Sequence, residues 1–173
     1  MSGAAKSSFP PEAGPGTRVL ILGSLPGEVS LARGQYYAHP QNQFWRLIGA
    51  VIEVDLTGVD YSGRLAALER AGVGLWDVVK TASRVGSLDQ HIRDHAPNPL
   101  AAFVRSLPAL QAVGFNGGKA WQIGAAQLAD GPSLELIALP SSSPAHTLAF
   151  ERKLAAWLPL RVFLESAAAG NGP

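Results

Sequence analysis

The chain has 173 residues, 47% of them apolar and 16% charged, with a formal net charge of +1; this describes one globular domain with a sizeable core and excludes a disordered chain, without the strong basic excess of many nucleic-acid binders. The absence of cysteine excludes disulfides, thiolate zinc sites, iron–sulfur clusters and cysteine nucleophiles. No apolar run approaches the ~20 residues of a membrane span, and the N-terminus has no signal-peptide pattern, so a cytoplasmic protein is the expectation.

Residues 1–16, rich in Ser, Ala, Pro and Gly, are expected to be disordered, with the folded domain over 17–165 and a frayed tail over 166–173. Residues 17–22 form a short apolar run that reads as a buried strand, ended by the turn residues of Gly23-Ser24-Leu25-Pro26-Gly27. A loop follows with Tyr36, Tyr37, His39, Pro40, Asn42, Phe44 and Trp45. Helices are predicted over 43–52, with Phe44, Leu47, Ile48 and Val51 on one face, and over 60–71, with Leu65 and Leu68 inward. Residues 73–79 read as a strand or extended segment bearing Trp76 and Asp77, and 80–96 as a long polar connection with at most one helical turn. Asn98-Pro99 is a helix start, a capping side chain before a proline, for a helix ending near Leu107. A strand over 109–115, a turn at Asn116-Gly117-Gly118 and a helix over 119–128 come next. The strand over 134–139 is expected to be buried; it leads into Pro140-Ser141-Ser142-Ser143-Pro144-Ala145-His146 and a last helix over 147–158 with Leu148, Leu154, Ala155 and Leu158 inward.

Strands alternating with helices indicate a single-domain, three-layer α/β/α fold with a mainly parallel sheet. Ligands in such sheets bind beyond the strands' carboxyl ends. The loops at 23–27, 116–118 and 140–146 would therefore converge on one edge.

The residues of these loops allow more than one reading. Asn42 serves either as a cap for the next helix or as a functional amide, which accepts with its oxygen and donates with its nitrogen. Asn116 is either a turn residue or a pocket residue. The serines at 141–143 form a functional loop or a plain loop and helix cap, and His146 is functional or a structural residue in the first turn of the last helix. Trp45 and Trp76 read as core, and Asp77 as a buried brace for its loop. A serine hydrolase using 141–143 with His146 and Asp77 lacks the Gly-x-Ser-x-Gly elbow, and a Rossmann cofactor site lacks Gly-x-Gly-x-x-Gly.

Several of these segments together resemble the uracil-DNA glycosylase superfamily, in its mismatch-specific and hypoxanthine (deoxyinosine) DNA glycosylase branches. Gly23-Ser24-Leu25-Pro26-Gly27 stands where the mismatch-specific enzymes carry Gly-x-Asn-Pro-Gly, whose Asn positions the attacking water; Leu25 departs from it. His39-Pro40-x-Asn42-x-Phe44-Trp45 matches the family's His-Pro-x-Asn-x-Phe-Trp, and in the hypoxanthine branch the Asn of this segment is held to matter for catalysis. Leu139-Pro140-Ser141-Ser142-Ser143 resembles Met-Pro-Ser-Ser-Ser, which contacts DNA phosphate, and Phe115-Asn116-Gly117 resembles a Phe-Asn-Gly turn of the same relatives.

The resemblance implies a monofunctional DNA glycosylase that extrudes a deaminated base from DNA into a pocket and hydrolyses its bond to the sugar with water. It implies no cofactor, no metal, no membrane and no obligate protein partner, hence a monomer. Hypoxanthine is the favoured base. A G/U-mismatch uracil glycosylase and an inactive nucleic-acid-binding module of the same fold are the alternatives. By resemblance Asn42 is catalytic, Gly23, Ser24, Leu25, Tyr36, His39, Phe44 and Asn116 form the base pocket, and Lys119 with residues 140–146 contacts DNA. His146 is then the side chain that fills the gap left by the extruded base.

Overall fold

The computed structural model describes residues 5–131 and 133–169. Its centre is β2 (Val19–Gly23), every residue of which is buried. Val19 and Ile21 face one core cluster, Leu20 and Leu22 the other. The continuous apolar run is thus a strand covered on both faces, as parallel sheets require. β2 pairs in parallel with β3 (Val73–Asp77) on one side and β6 (Ala112–Asn116) on the other, and β6 pairs in parallel with β7 (Glu135–Leu139). The resulting order, β3-β2-β6-β7, reverses direction between β2 and β6. That crevice is the topological switch point, where open α/β sheets place their ligands.

Helix α2 (Phe44–Ile52) buries Phe44, Trp45, Leu47, Ile48 and Val51 against the first face. It is joined there by α3 (Tyr61–Ala71), whose N-cap Asp60 accepts from Gly63 N–H, and by α6 (Phe150–Trp157). Helices α4 (Leu100–Arg105) and α5 (Gly118–Leu128) cover the other face. Gly124 lets α5 come close: a Cβ there would lie 2.6 Å from Phe115 and 2.7 Å from Val78.

Several elements differ from the sequence expectation. Residues 28–33 form a short helix, α1 (Glu28–Arg33), inside the segment read as loop. The polar connection at 80–96 holds β4 (Val79–Ser83), a 3₁₀ turn (Asp89–His91) and β5 (Arg93–Pro97). Their polar, mostly exposed residues carry no apolar alternation, so neither strand shows as a pattern. Asn98 does not cap α4. Its side-chain amide is buried and donates to the carbonyls of Asp77 (2.8 Å) and Val79 (3.3 Å), tying β3 to β4. β7 is an edge strand and largely half-exposed rather than buried. On α6 Lys153 and Trp157 are buried, and Leu154 packs against the core as expected, while Ala155 is exposed. Pro159 does not end the helical region; it opens a 3₁₀ turn (Leu158–Leu160), where proline is tolerated, and α7 (Arg161–Ala169) follows. The helix therefore runs into the expected tail; residues 170–173 lie outside the described residues.

The N-terminal segment is the largest correction. Residues 5–16, expected to be disordered, form a strap across the sheet. β1 (Ala5–Ser7) pairs antiparallel with β4, and Glu12 bridges to Leu75. The carbonyl of Phe9 accepts the indole N–H of Trp76 (3.0 Å), and that of Pro10 accepts the Tyr36 hydroxyl (2.9 Å). Composition alone missed this because the strap is held by its backbone, whose acceptors satisfy side-chain donors from elsewhere. Removing residues 1–10 strips both buried donors of their acceptors, at roughly 1–3 kcal/mol for each group left unpaired. The urea midpoint of the truncated chain should fall accordingly; an unchanged midpoint would show that water replaces the strap.

Candidate active site

A cleft of about 680 Å³ opens at the switch point, within the range of small-molecule sites. The three loops expected to converge do converge on it. Gly23, Ser24 and Leu25 line it from the end of β2, Asn116 from the end of β6, and 141–146 from beyond β7. Tyr36, His39 and Asn42 line it from the loop before α2. Phe44, expected in the pocket, and Pro140 and Lys119, expected to contact DNA, do not line the cleft. Phe44 is fully buried behind the wall, the Pro140 carbonyl is turned to the indole N–H of Trp157 (3.0 Å), and Lys119 stands on the first turn of α5.

The aromatic wall is Tyr37, which the sequence reading did not place in the pocket. Its ring stacks on Phe44 at 3.9 Å between centroids. Its backbone has φ +54°, a left-handed conformation that costs a non-glycine residue free energy. Contacts around it hold that conformation: the Tyr37 carbonyl accepts from Trp45 Nε1 (3.1 Å), and its hydroxyl accepts from Asn116 Nδ2 (3.3 Å). Burial and the nearby Asp77 raise the pKa of this phenol, so it stays a neutral hydroxyl.

Asn116 has a specific partner. Its Oδ1 accepts from Ser142 N–H and its Nδ2 donates to Ser142 Oγ, both at 2.9 Å. This reciprocal pair, buried on both sides, pins the serine loop to the end of β6. The Ser142 carbonyl in turn accepts from Gln43 N–H (3.0 Å), fixing the start of α2 against the same loop. Lys153, also buried, donates to the Ser143 carbonyl (3.2 Å) from below. Residues 144–146 then stand exposed at the mouth. His146 lies in this loop, four residues before α6, and not in the helix's first turn. The His146 N–H donates to the Ser143 carbonyl (3.1 Å), but among the described residues no side-chain hydrogen bond joins these serines to His146, or His146 to Asp77, so the hydrolase triad is not assembled.

Asn42 takes part of both roles considered for it. Its Oδ1 accepts from Phe44 N–H (2.9 Å), which caps α2, while its Nδ2 has no partner among the described residues and lies at the cleft. His39 Nδ1 accepts from Gln41 N–H (3.1 Å), which leaves the proton of the neutral ring on Nε2.

The loop at 84–90 is a wall that sequence reasoning missed altogether. Arg84 is buried, and its guanidinium donates to the carbonyls of Leu25, Pro26 and Gly86. It thereby clamps the turn after β2. Asp89 lies 3.9 Å from the Arg84 guanidinium and accepts a 2.6 Å hydrogen bond from Ser24. Asp77, at the end of β3, forms part of the floor. The available signal was its position, an acidic residue at the last place of a buried strand. The Leu25 side chain offers the cleft only carbon and is buried in the second core cluster, and its carbonyl is taken by Arg84.

The fold and cleft together define a class: an α/β protein with a cleft of small-molecule size at the carboxyl edge of its parallel sheet, beside an aromatic wall. A sequence model of the Uracil DNA glycosylase superfamily matches residues 10–163. A protein of Methanosarcina barkeri named hypoxanthine DNA glycosylase is 41% identical over 152 residues, covering 88% of this chain and 95% of its own. A Methanosarcina acetivorans protein of the same name is 38% identical over the same shares. A solution NMR structure of a candidate uracil DNA glycosylase from M. acetivorans superimposes with a TM-score of 0.83 at 37% identity, covering 94% of this chain and 99% of that one. This chain belongs to the uracil DNA glycosylase superfamily.

The Asn116–Ser142 pair is the joint between sheet and serine loop. Asn116→Ala should cost about 1–3 kcal/mol in a denaturant titration, through the buried amide of Ser142 left without an acceptor. It should also weaken DNA affinity by freeing the loop. Stability lost with DNA affinity retained would show that the loop keeps its place without the joint.

Proposed function

We propose that the protein is a monofunctional DNA glycosylase, acting as a cytoplasmic monomer, that removes hypoxanthine from deoxyinosine in DNA. The observation that carries this reading is Asn42: the residue of the His-Pro-x-Asn segment stands at the cleft with its oxygen locked and its amide nitrogen free. The relatives named for hypoxanthine cover most of the chain. Leu25, apolar and packed into the core, cannot perform the water-positioning role of the mismatch-specific Asn, which favours hypoxanthine over uracil.

In this reading the duplex lies across the mouth of the cleft, with the hydroxyls of Ser141 and Ser143 toward a phosphate, while that of Ser142 is buried against Asn116. The target base, extruded from the stack, enters the cleft against the face of Tyr37. Water's oxygen bonds to the sugar C1′ as the C1′–N bond breaks, the bonding pair leaves with the base, and the water's surplus proton passes to solvent or to the departed base. Positive charge on the sugar and negative charge on the base develop together. A fixed amide donor at the base therefore lowers the barrier more than it strengthens ground-state binding.

Single-turnover cleavage of duplexes holding one inosine, uracil, xanthine or thymine tests the reading, with inosine expected to be cut fastest. Asn42→Ala should slow inosine cleavage by ~10²–10³, the usual cost of one such donor. Asn42→Asp keeps a capping oxygen for Phe44 N–H, and so separates the chemistry from the cap. Near-normal cleavage by the alanine variant would reduce Asn42 to a cap.

His146 is exposed at the mouth and free of the helix, as a side chain that enters the duplex must be. His146→Ala should slow duplex cleavage about tenfold, roughly the 1–3 kcal/mol of one aromatic–base stack, and leave cleavage of a single-stranded inosine substrate almost unchanged. Equal loss on both substrates would remove His146 from the stack.

A further inference from the structure

Lys153 stands on α6 beneath the serine loop, and its side chain is fully buried, 1% exposed. Its ammonium donates one hydrogen bond, to the Ser143 carbonyl at 3.2 Å, although an ammonium carries three donors. No acidic side chain pairs with it among the described residues. On its own helix Glu151 and Arg152 are exposed, and so is Glu135 on β7. Arg46 of α2 lays its guanidinium over the Phe150 ring, and His146 is exposed in the loop. Burial alone lowers the pKa of the Lys153 ammonium from its ordinary 10.5.

An ammonium taken out of water without an anion costs free energy, and an apolar side chain of similar length would fill the same space without that cost. Trp157, four residues further along α6, provides the contrast. It also holds this loop, at the Pro140 carbonyl, but with an uncharged donor. A charge kept where packing does not need it points to a use for the charge.

The loop above Lys153 is arranged to donate. Ser141 Oγ accepts from Ser143 N–H and Ser143 Oγ accepts from Ala145 N–H, both at 3.1 Å. Each hydroxyl therefore keeps its own proton for an acceptor outside the loop. Both residues line the cleft. The Ser143 carbonyl accepts from His146 N–H as well as from Lys153, so the ammonium also holds the turn that carries residues 144–146 to the mouth. Two hydroxyl donors suit an anion, yet residues 140–146 contain no lysine or arginine.

We propose that Lys153 supplies the positive charge of the serine loop: its ammonium, fixed by the Ser143 carbonyl, has as its counter-ion the DNA phosphate that docks on Ser141 and Ser143. This rests on the glycosylase reading above and deepens it, by giving a DNA-positioning role to a residue that touches neither the base nor the water. The charge acts through the loop and not by contact. Salt screens a buried charge less than an exposed one, and a side chain already held in place loses little freedom when DNA arrives.

The test measures the affinity of the full-length chain and of Lys153→Met for two duplexes, one undamaged and one holding non-hydrolysable 2′-fluoro-deoxyinosine, between about 50 and 200 mM salt. Met nearly matches the length of Lys and carries no charge. Lys153→Met should bind both duplexes about tenfold more weakly at the low-salt end, as one unit charge acting over a few ångströms of protein allows. Its slope of log affinity against log salt should be flatter by about 0.9, the share of one phosphate. Its urea midpoint should stay level or rise, because a buried charge has been removed. Unchanged affinity and slope overturn the role of Lys153 and leave the glycosylase reading standing. Weaker binding with an unchanged slope or a lowered midpoint also overturns it, since the lysine is then only a prop for the loop. An unmodified chain that binds neither duplex overturns that reading, and Lys153 with it.

A measurement on the unmodified chain covers the case in which the variant does not fold. The ¹⁵N signal of the Lys153 ammonium should titrate below 10.5 in the free protein, and its midpoint should rise when the undamaged duplex is bound, as a nearby anion favours the charged form. A lysine that only props the loop has no reason to respond. A midpoint that ignores the duplex overturns the proposal.

Discussion

The burial of β2 on both faces and both edges is the constraint on which the rest depends. A strand with no exposed residue can meet solvent only at its ends, and its carboxyl end falls at Gly23, between neighbours that the chain reaches in opposite directions. The crevice is a consequence of that reversal. Whatever stands at the last position of β2, β3 and β6 is brought to its floor: Gly23, Asp77 and Asn116. These three residues are 54 and 39 positions apart along the chain, from 23 to 77 and from 77 to 116, yet the sheet's parallel register makes them neighbours.

Around that floor, hydrogen bonds do most of the positioning. Asn116 holds Ser142, Ser142 holds Gln43, and Asn42 caps α2, so the serine loop and the aromatic segment are braced against each other. Arg84 does the same for the turn after β2. A buried guanidinium that donates to several carbonyls fixes the turn from Ser24 to Gly27, alongside the packing of Leu25 into the second core cluster. Among the described residues, the Asn42 amide nitrogen and the Asp77 Oδ2 have no hydrogen-bond partner.

What could be read from the sequence follows from how each part is stabilised. The four strands of the parallel sheet and the helices that cover it declare themselves by apolar runs and by helical spacing, as at Phe44, Leu47, Ile48 and Val51. Motif spacing brought Asn42, Asn116 and the serine loop to one edge. The parts that stayed hidden are held by polar contacts over long separations. β4 and β5 have no apolar period, the strap works through its carbonyls, and Arg84 reads as one more surface charge until its acceptors are seen. Tyr37 and Tyr36 are neighbours of the same type, and only the left-handed backbone at Tyr37 decides which ring forms the wall. Phe44 was misread for a related reason: an aromatic residue in a functional motif can serve the site from behind, as backing for the ring that touches the ligand.

The N-terminal strap has a bearing on how the chain is made. Residues 5–12 leave the ribosome well before their partners, Lys80 to Ser83, Leu75 and Trp76, which emerge some 70 residues later. β2 likewise waits for Phe115 before its second edge is covered. Contacts that span such separations form slowly. The nascent chain therefore holds an uncovered apolar strand and a loose leading segment until more than half of its length is synthesised. The strap can close over β3 and β4 only once both strands have emerged.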